Sequence, residues 1–180
     1  MSRPTQILHL TRPVTEYPQV PAGHPLNADV DFLALGRYED GEPVDPSIRF
    51  DLFIKAPFPL DVVWTGAKPY VSNRLRDVLT AVAGDWIAFR PLTVNGEPYW
   101  VLQVTREIDA LHTDTEFRRA PDGEILSIEQ PVWDGDRIDG PAIFSIPQIL
   151  RRLYCTQDVV DAYETSGCNG LGFYTSGRVV

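Results

Sequence analysis

Residues 72–104 read SNRLRDVLTAVAGDWIAFRPLTVNGEPYWVLQV, and this stretch decides the class of the fold. Ser72 precedes Leu75, Val78, Leu79 and Val82, an i, i+3, i+4, i+7 apolar stripe behind a hydroxyl that can accept the orphan amide bonds of a helix start. Gly84 supplies the stop. Past it, residues 86–94 and 98–104 are rich in β-formers and flank Asn95-Gly96, the pair best suited to the positive φ angles of a tight hairpin turn. A helix running into an antiparallel hairpin predicts an α+β fold.

Upstream, Ile48, Phe50, Leu52 and Ile54 alternate with Arg49, Asp51 and Lys55, the period of two that a half-buried strand demands. A shorter strand over 61–64 follows the Pro57-Phe58-Pro59 break, and further β segments are expected at 124–128, 130–133 and 142–146. Proline crowds the N-terminal part, with Pro13, Pro18, Pro21 and Pro25 close together. Because proline fixes φ and lacks an amide donor, residues 11–27 are expected to run extended over the surface. Leu10, Val14, Tyr17, Val20 and Leu26 would anchor them. The chain is thus read as one domain over 1–180, with a wrapping segment at 1–47 and an α+β body at 48–180.

An echo links the middle of the chain to its end. Tyr154 stands 84 positions after Tyr70, and Thr156, Asp161 and Phe173 stand at that same offset from Ser72, Asp77 and Phe89. The apolar positions Leu75, Val78 and Leu79 meet Val159, Ala162 and Tyr163. An apolar residue, a hydroxyl cap, a short amphipathic helix and a strand ending in Phe therefore occur twice, which predicts a pseudo-duplicated α+β domain with a mixed, mostly antiparallel sheet and two short helices.

Sixteen Lys and Arg against 25 Asp and Glu give a formal charge of −9. This balance argues against a nucleic-acid binder, whose affinity comes from neutralising phosphates, and against a polybasic membrane-surface protein. No apolar run approaches the ~20 residues of a spanning helix or a signal-peptide core, so the expected location is the cytoplasm, with Cys155 and Cys168 kept as thiols.

The segments 71–79 (VSNRLRDVL), Phe89-Arg90-Pro91-Leu92, Tyr99-Trp100-Val101-Leu102, Ile108-Asp109-Ala110-Leu111, Ile143-Phe144 and Gly170-Leu171-Gly172-Phe173, in this order and spacing, resemble immunity protein family 11 of bacterial polymorphic toxin systems. The resemblance spans about residues 61–173, and the first 60 residues match it poorly. Gln103 and His112 stand where Asn and Asp are commoner. The resemblance implies a small cytoplasmic protein that binds and neutralises a cognate toxin by occlusion, with scaffold residues instead of a catalytic set and no cofactor.

His112, Asp114 and Glu116 alternate, so on a strand they would share one face and could hold a metal, which is the basis of a rival reading as a small metal-dependent enzyme. The plainer reading is a solvated strand face. A third reading is a scaffold or adaptor unrelated to toxins. The run from Trp133 to Gly140 fails as a calcium loop, having Asp139 where glycine is needed and Ser145 at the twelfth position. Cys155 is expected to be a small core residue and Cys168, in a glycine-rich turn, to be open to solvent; neither has a catalytic partner set. Trp64, Trp86 and Trp100 stand in apolar strands, and Arg74, Arg76, Arg151 and Arg152 read as solvated charges.

Two acidic loops could meet a basic toxin: Glu39, Asp40, Glu42 and Asp45, or Asp134, Asp136 and Asp139 beside Trp133. The second is favoured as the toxin-binding candidate, because an aromatic next to charges offers both steering and a desolvated anchor.

Overall fold

The computed structural model describes residues 4–11, 31–54, 60–64, 68–140 and 142–180. In chain order these form β1 (Ile7–Thr11), α1 (Phe32–Glu39), β2 (Asp51–Leu52), β3 (Val62–Trp64), β4 (Pro69–Ser72), α2 (Asn73–Ala83), β5 (Ile87–Val94) and β6 (Glu97–Val104). Then come β7 (Glu116–Arg119), β8 (Ile125–Gln130), β9 (Val132–Trp133), β10 (Ile143–Ile146), β11 (Ile149–Thr156), α3 (Gln157–Ser166), β12 (Gly172–Thr175) and β13 (Arg178–Val179). The fold is α+β, mostly sheet and mostly antiparallel.

The first sheet has the order β2-β5-β6-β4-β3. Its β5–β6 hairpin turns on Asn95 and Gly96, both at positive φ, and the Asn95 side chain also bonds both backbone groups of Ile54, at 2.8 and 2.9 Å. The strand expected over 48–55 pairs only at β2, in parallel with β5, yet the burial alternates as its sequence demands: Phe50, Leu52 and Ile54 are buried while Asp51 and Phe53 are exposed.

The second sheet, β10-β11-β1-β12, repeats the first register for register. In the first, Tyr70, Val71 and Ser72 of β4 lie opposite Val101, Trp100 and Tyr99 of β6; in the second, Tyr154, Cys155 and Thr156 of β11 lie opposite His9, Leu8 and Ile7 of β1. On the other side of the inner strand, Phe89 and Arg90 face Leu102 and Val101, just as Phe173 and Tyr174 face Leu10 and His9. The outer strands follow suit. β3 meets β4 through Val62 and Val71, β10 meets β11 through Ile143 and Cys155, and the parallel pair of Leu52 with Val94 recurs as Trp133 with Val179. The duplication read from the helix stripes is thus carried through the strands as well.

The two copies differ in three ways. The strand equivalent to β6 comes from the far end of the chain: β1 is the inner strand of the second sheet, so the N-terminal segment contributes far more than a wrap. The single strand β5 is broken in the second copy into β12 and β13 by Gly177, where φ is +69° and a Cβ would lie 1.8 Å from the Pro131 carbonyl oxygen. The element before the parallel strand is α1 in the first copy and the β7–β8 hairpin in the second. Helix α1 is a third helix beyond the two expected; Asp31 caps it by accepting from the amides of Leu33 and Ala34 at 3.0 Å each. The expected extended run at 11–27 lies outside the described residues, apart from Thr11 in β1.

Helices α2 and α3 pack against each other, and Leu75, Leu79, Val159, Val160 and Tyr163 join residues of both sheets in one core. A second core lies on the outer face of the first sheet, where Ala34 and Leu35 of α1 cover Tyr70, Leu92, Tyr99 and Val101. Ser72 caps α2 as expected, accepting from the Leu75 amide at 3.2 Å. Thr156 makes no such cap: its hydroxyl accepts from the amide of Ala142 at 3.1 Å, and both residues are fully buried, where an amide needs a partner.

Three stability losses are expected in urea unfolding. Ser72→Ala should cost about 1 kcal/mol through the lost cap, and Thr156→Val about 1–3 kcal/mol by orphaning the Ala142 amide. Leu10→Ala should cost about 2–5 kcal/mol, as for any inner-strand core residue.

Candidate interaction surface

The loop after β9 is held from several sides. The Asp134 amide donates to the Ala110 carbonyl at 2.8 Å, the Gly135 amide to that of Val180 at 3.1 Å, and Ile138 is buried. The Asp134 carboxylate accepts from the Asp136 amide at 3.2 Å and pairs with Arg137 Nε at 3.0 Å. Arg137 donates in turn to the Asp109 carbonyl at 2.6 Å, and the Asp109 carboxylate accepts from Gln148 at 2.7 Å. This chain of bonds fixes a short 3₁₀ turn that leaves Asp136 and Asp139 exposed. Nearby, Arg178 lies 3.6 Å from Asp114. Among the described residues Arg137 pairs with Asp109 and Asp134 and Arg178 with Asp114, and with Asp136 and Asp139 exposed beside them the surface is acidic and preformed.

Trp133 does not belong to that surface. It is fully buried, its ring 4.8 Å from that of Tyr154 and 5.9 Å from that of Phe144, and its Nε1 donates to the Ser176 carbonyl. The physical reason is the duplication: Trp133 occupies the place of Leu52, which is equally buried in the first copy. Of the four candidate residues, Asp136 and Asp139 face solvent, Asp134 is half-buried as the turn's cap, and Trp133 is core.

The other acidic loop is spent internally. Glu39 accepts from the Tyr70 hydroxyl, Asp40 lies 3.8 Å from Lys68, Glu42 accepts from Arg37 at 3.1 Å, and Asp45 accepts from the amide and hydroxyl of Ser47. The Ser47 hydroxyl, and then its amide, hold the Asp45 carboxyl below the usual range.

The metal reading required a strand through His112, Asp114 and Glu116. Residues 112–115 form a turn instead, closed by the Thr115 amide on the His112 carbonyl at 3.0 Å, and only Glu116 enters β7. His112 Nδ1 accepts from the Asp114 amide at 3.2 Å. Among the described residues no group of three His, Cys, Asp or Glu side chains gathers as a metal site would require.

Both cysteines are buried free thiols, and burial pushes the Cys155 thiol well above its ordinary range. Cys168 is therefore less open than its glycine-rich turn implied. Of the arginines, Arg76 lies over the Trp100 ring at 4.4 Å and Arg74 bridges to the Ser166 carbonyl at the end of α3, so neither is merely solvated. Gln103 donates to the carbonyls of Tyr38 and Glu39 at 3.3 Å each, closing the end of α1.

The profile of an immunity protein family (Imm11) matches residues 17–178. The chain belongs to this family. No curated protein matches the sequence. The family match reaches well upstream of residue 61 and takes in α1 and β2, while β1, the inner strand of the second sheet, lies outside it. Among the described residues of this immunity protein, no helix is long and apolar enough to cross a membrane.

Trp133→Ala should behave as a core deletion, lowering stability by about 3–5 kcal/mol in denaturant unfolding. Alkylation of native protein at pH 8 should leave Cys155 unmodified until urea unfolds the chain, since a buried thiol far above its ordinary pKa presents no thiolate.

Proposed function

We propose that this immunity protein is a stoichiometric inhibitor that neutralises a basic cognate toxin in the cytoplasm by covering its working surface, without catalysis or cofactor. Family membership carries the reading. The preformed acidic surface around Asp136 and Asp139 supports the choice of a basic partner. Residues 105–180 contain 13 acidic and 7 basic residues, so this part of the chain holds most of the −9 charge. Such a field steers an oppositely charged partner and raises the association rate more than it deepens the complex. A turn already tied by Arg137 and Asp134 requires no ordering on contact, which spares the entropy that a flexible loop would lose.

The test is whether the reading frame adjacent to this chain's encodes a toxin domain that co-purifies with it, followed by surface plasmon resonance. Asp136→Lys with Asp139→Lys should slow association about tenfold at low ionic strength, with the difference shrinking toward high salt. A toxin that binds the double variant at an unchanged rate in low salt would place its contact elsewhere, and a toxin that forms no complex would remove the inhibitor reading.

A further inference from the structure

The duplication sets a face of the second copy beside the face that α1 covers in the first. On the outer face of the first sheet, Lys68, just before β4, and Tyr70 within it stand two residues apart, and both grip the end of α1. The Tyr70 hydroxyl donates to the Glu39 carboxylate, and Lys68 Nζ lies 3.8 Å from Asp40. Arg90 of β5 adds a bond to the Tyr38 carbonyl at 2.9 Å and sits 4.0 Å over the Tyr38 ring. An acidic helix end is thus seated on a lysine, a tyrosine and an arginine.

In the second copy the equivalent positions are Arg152 for Lys68, Tyr154 for Tyr70, His9 for Val101 and Tyr174 for Arg90. Among the described residues no helix covers them. The β7–β8 hairpin, which stands at the chain position of α1, reaches only the rim through Ile128 and Glu129, leaving a cleft of about 340 Å³ over His9, Tyr154 and Tyr174 with Arg152 at its side. Arg152 is exposed and bonds Tyr154; among the described residues no carboxylate lies within ion-pair distance of it. Burial, and then the Arg152 charge, lower the His9 pKa, so among the lining residues the cationic charge is that of Arg152 and the anionic one that of Glu129 on the rim. Trp133 backs the cleft by packing on Tyr154, and the acidic loop begins at the next residue.

We infer that this cleft docks a carboxylate-bearing segment of the toxin, seated on Arg152 and Tyr154 as the Glu39–Asp40 end of α1 is seated on Lys68 and Tyr70. The inference rests on the toxin-binding reading and deepens it: the acidic loop steers the toxin's basic surface, and the neighbouring cleft takes an acidic side chain that fixes the orientation. The partner's charge pattern is then mixed, with a carboxylate next to its basic patch.

The experiment uses the full chain and the toxin domain encoded beside it. Arg152→Glu should weaken the complex at least tenfold by raising the dissociation rate, while Arg152→Lys, which reproduces the first copy, should bind within about threefold of wild type. A single Asp or Glu to Lys change in the toxin should restore binding to the Arg152→Glu protein. Hydrogen exchange on the unaltered complex should show protection at 152–154 and 174–176, a readout independent of how the variants fold. A complex that forms with unchanged affinity for Arg152→Glu, or without protection at those residues, overturns the cleft and leaves the inhibitor reading standing. Weakening by Arg152→Glu that no toxin carboxylate reversal restores overturns the carboxylate. If no complex forms with the unaltered chain, both readings fall.

Discussion

The fold depends on a strand that the chain makes first and uses last. β1 is bonded on one side to β11 and on the other to β12, partners about 145 to 165 residues away, and it carries Leu8 and Leu10 into the shared core. Without it β11 and β12 would each present an unpaired edge, and buried amide and carbonyl groups would lose their partners. One short strand thus closes the second sheet and binds the start of the chain to its end.

The two copies keep different things constant. Inward positions stay apolar: Val71 and Cys155 correspond, as do Leu102 and Leu10, and all are buried against the helices. Outward, Tyr70 recurs as Tyr154, but Val101 becomes His9 and Arg90 becomes Tyr174. Close packing explains the contrast, because an inner residue answers to two sheets and two helices at once, whereas an outer one answers only to its cover. The cover is where the copies part, helix α1 on one and a hairpin on the other. The cleft over His9, Tyr154 and Tyr174 lies on the face whose cover changed.

What was legible in the sequence was what is locally determined. The Ser72 cap, the α2 stripe and the Asn95-Gly96 turn each have their cause within a few residues and stand where the pattern put them. The offset of 84 was legible too, because helix stripes and caps repeat as residue types. β1 was hidden because Ile7-Leu8-His9-Leu10 is too short to announce an inner strand, and its partners lie at the other end of the chain. α1 was obscured by the prolines around it, although Asp31 before Phe32-Leu33-Ala34-Leu35 was a usable start signal. Trp133 was misjudged for the same non-local reason: beside three aspartates it looks like an exposed anchor, and only its pairing with Val179 shows that it fills the slot of Leu52. The alternation at 112–116 failed because a turn, which has no period, interrupts it.

The placement of β1 also sets the order in which the molecule can be completed during translation. The first copy, from α1 to β6, is contiguous, so its strands can pair as they leave the ribosome while the inner face of α2 waits for α3. The second cannot close until residues 172–175 have emerged, and through that interval β1 must wait as a free strand with both edges exposed. A truncated product of this chain would therefore release a sticky apolar strand, so aggregation and proteolysis should fall on incomplete chains far more heavily than on finished ones.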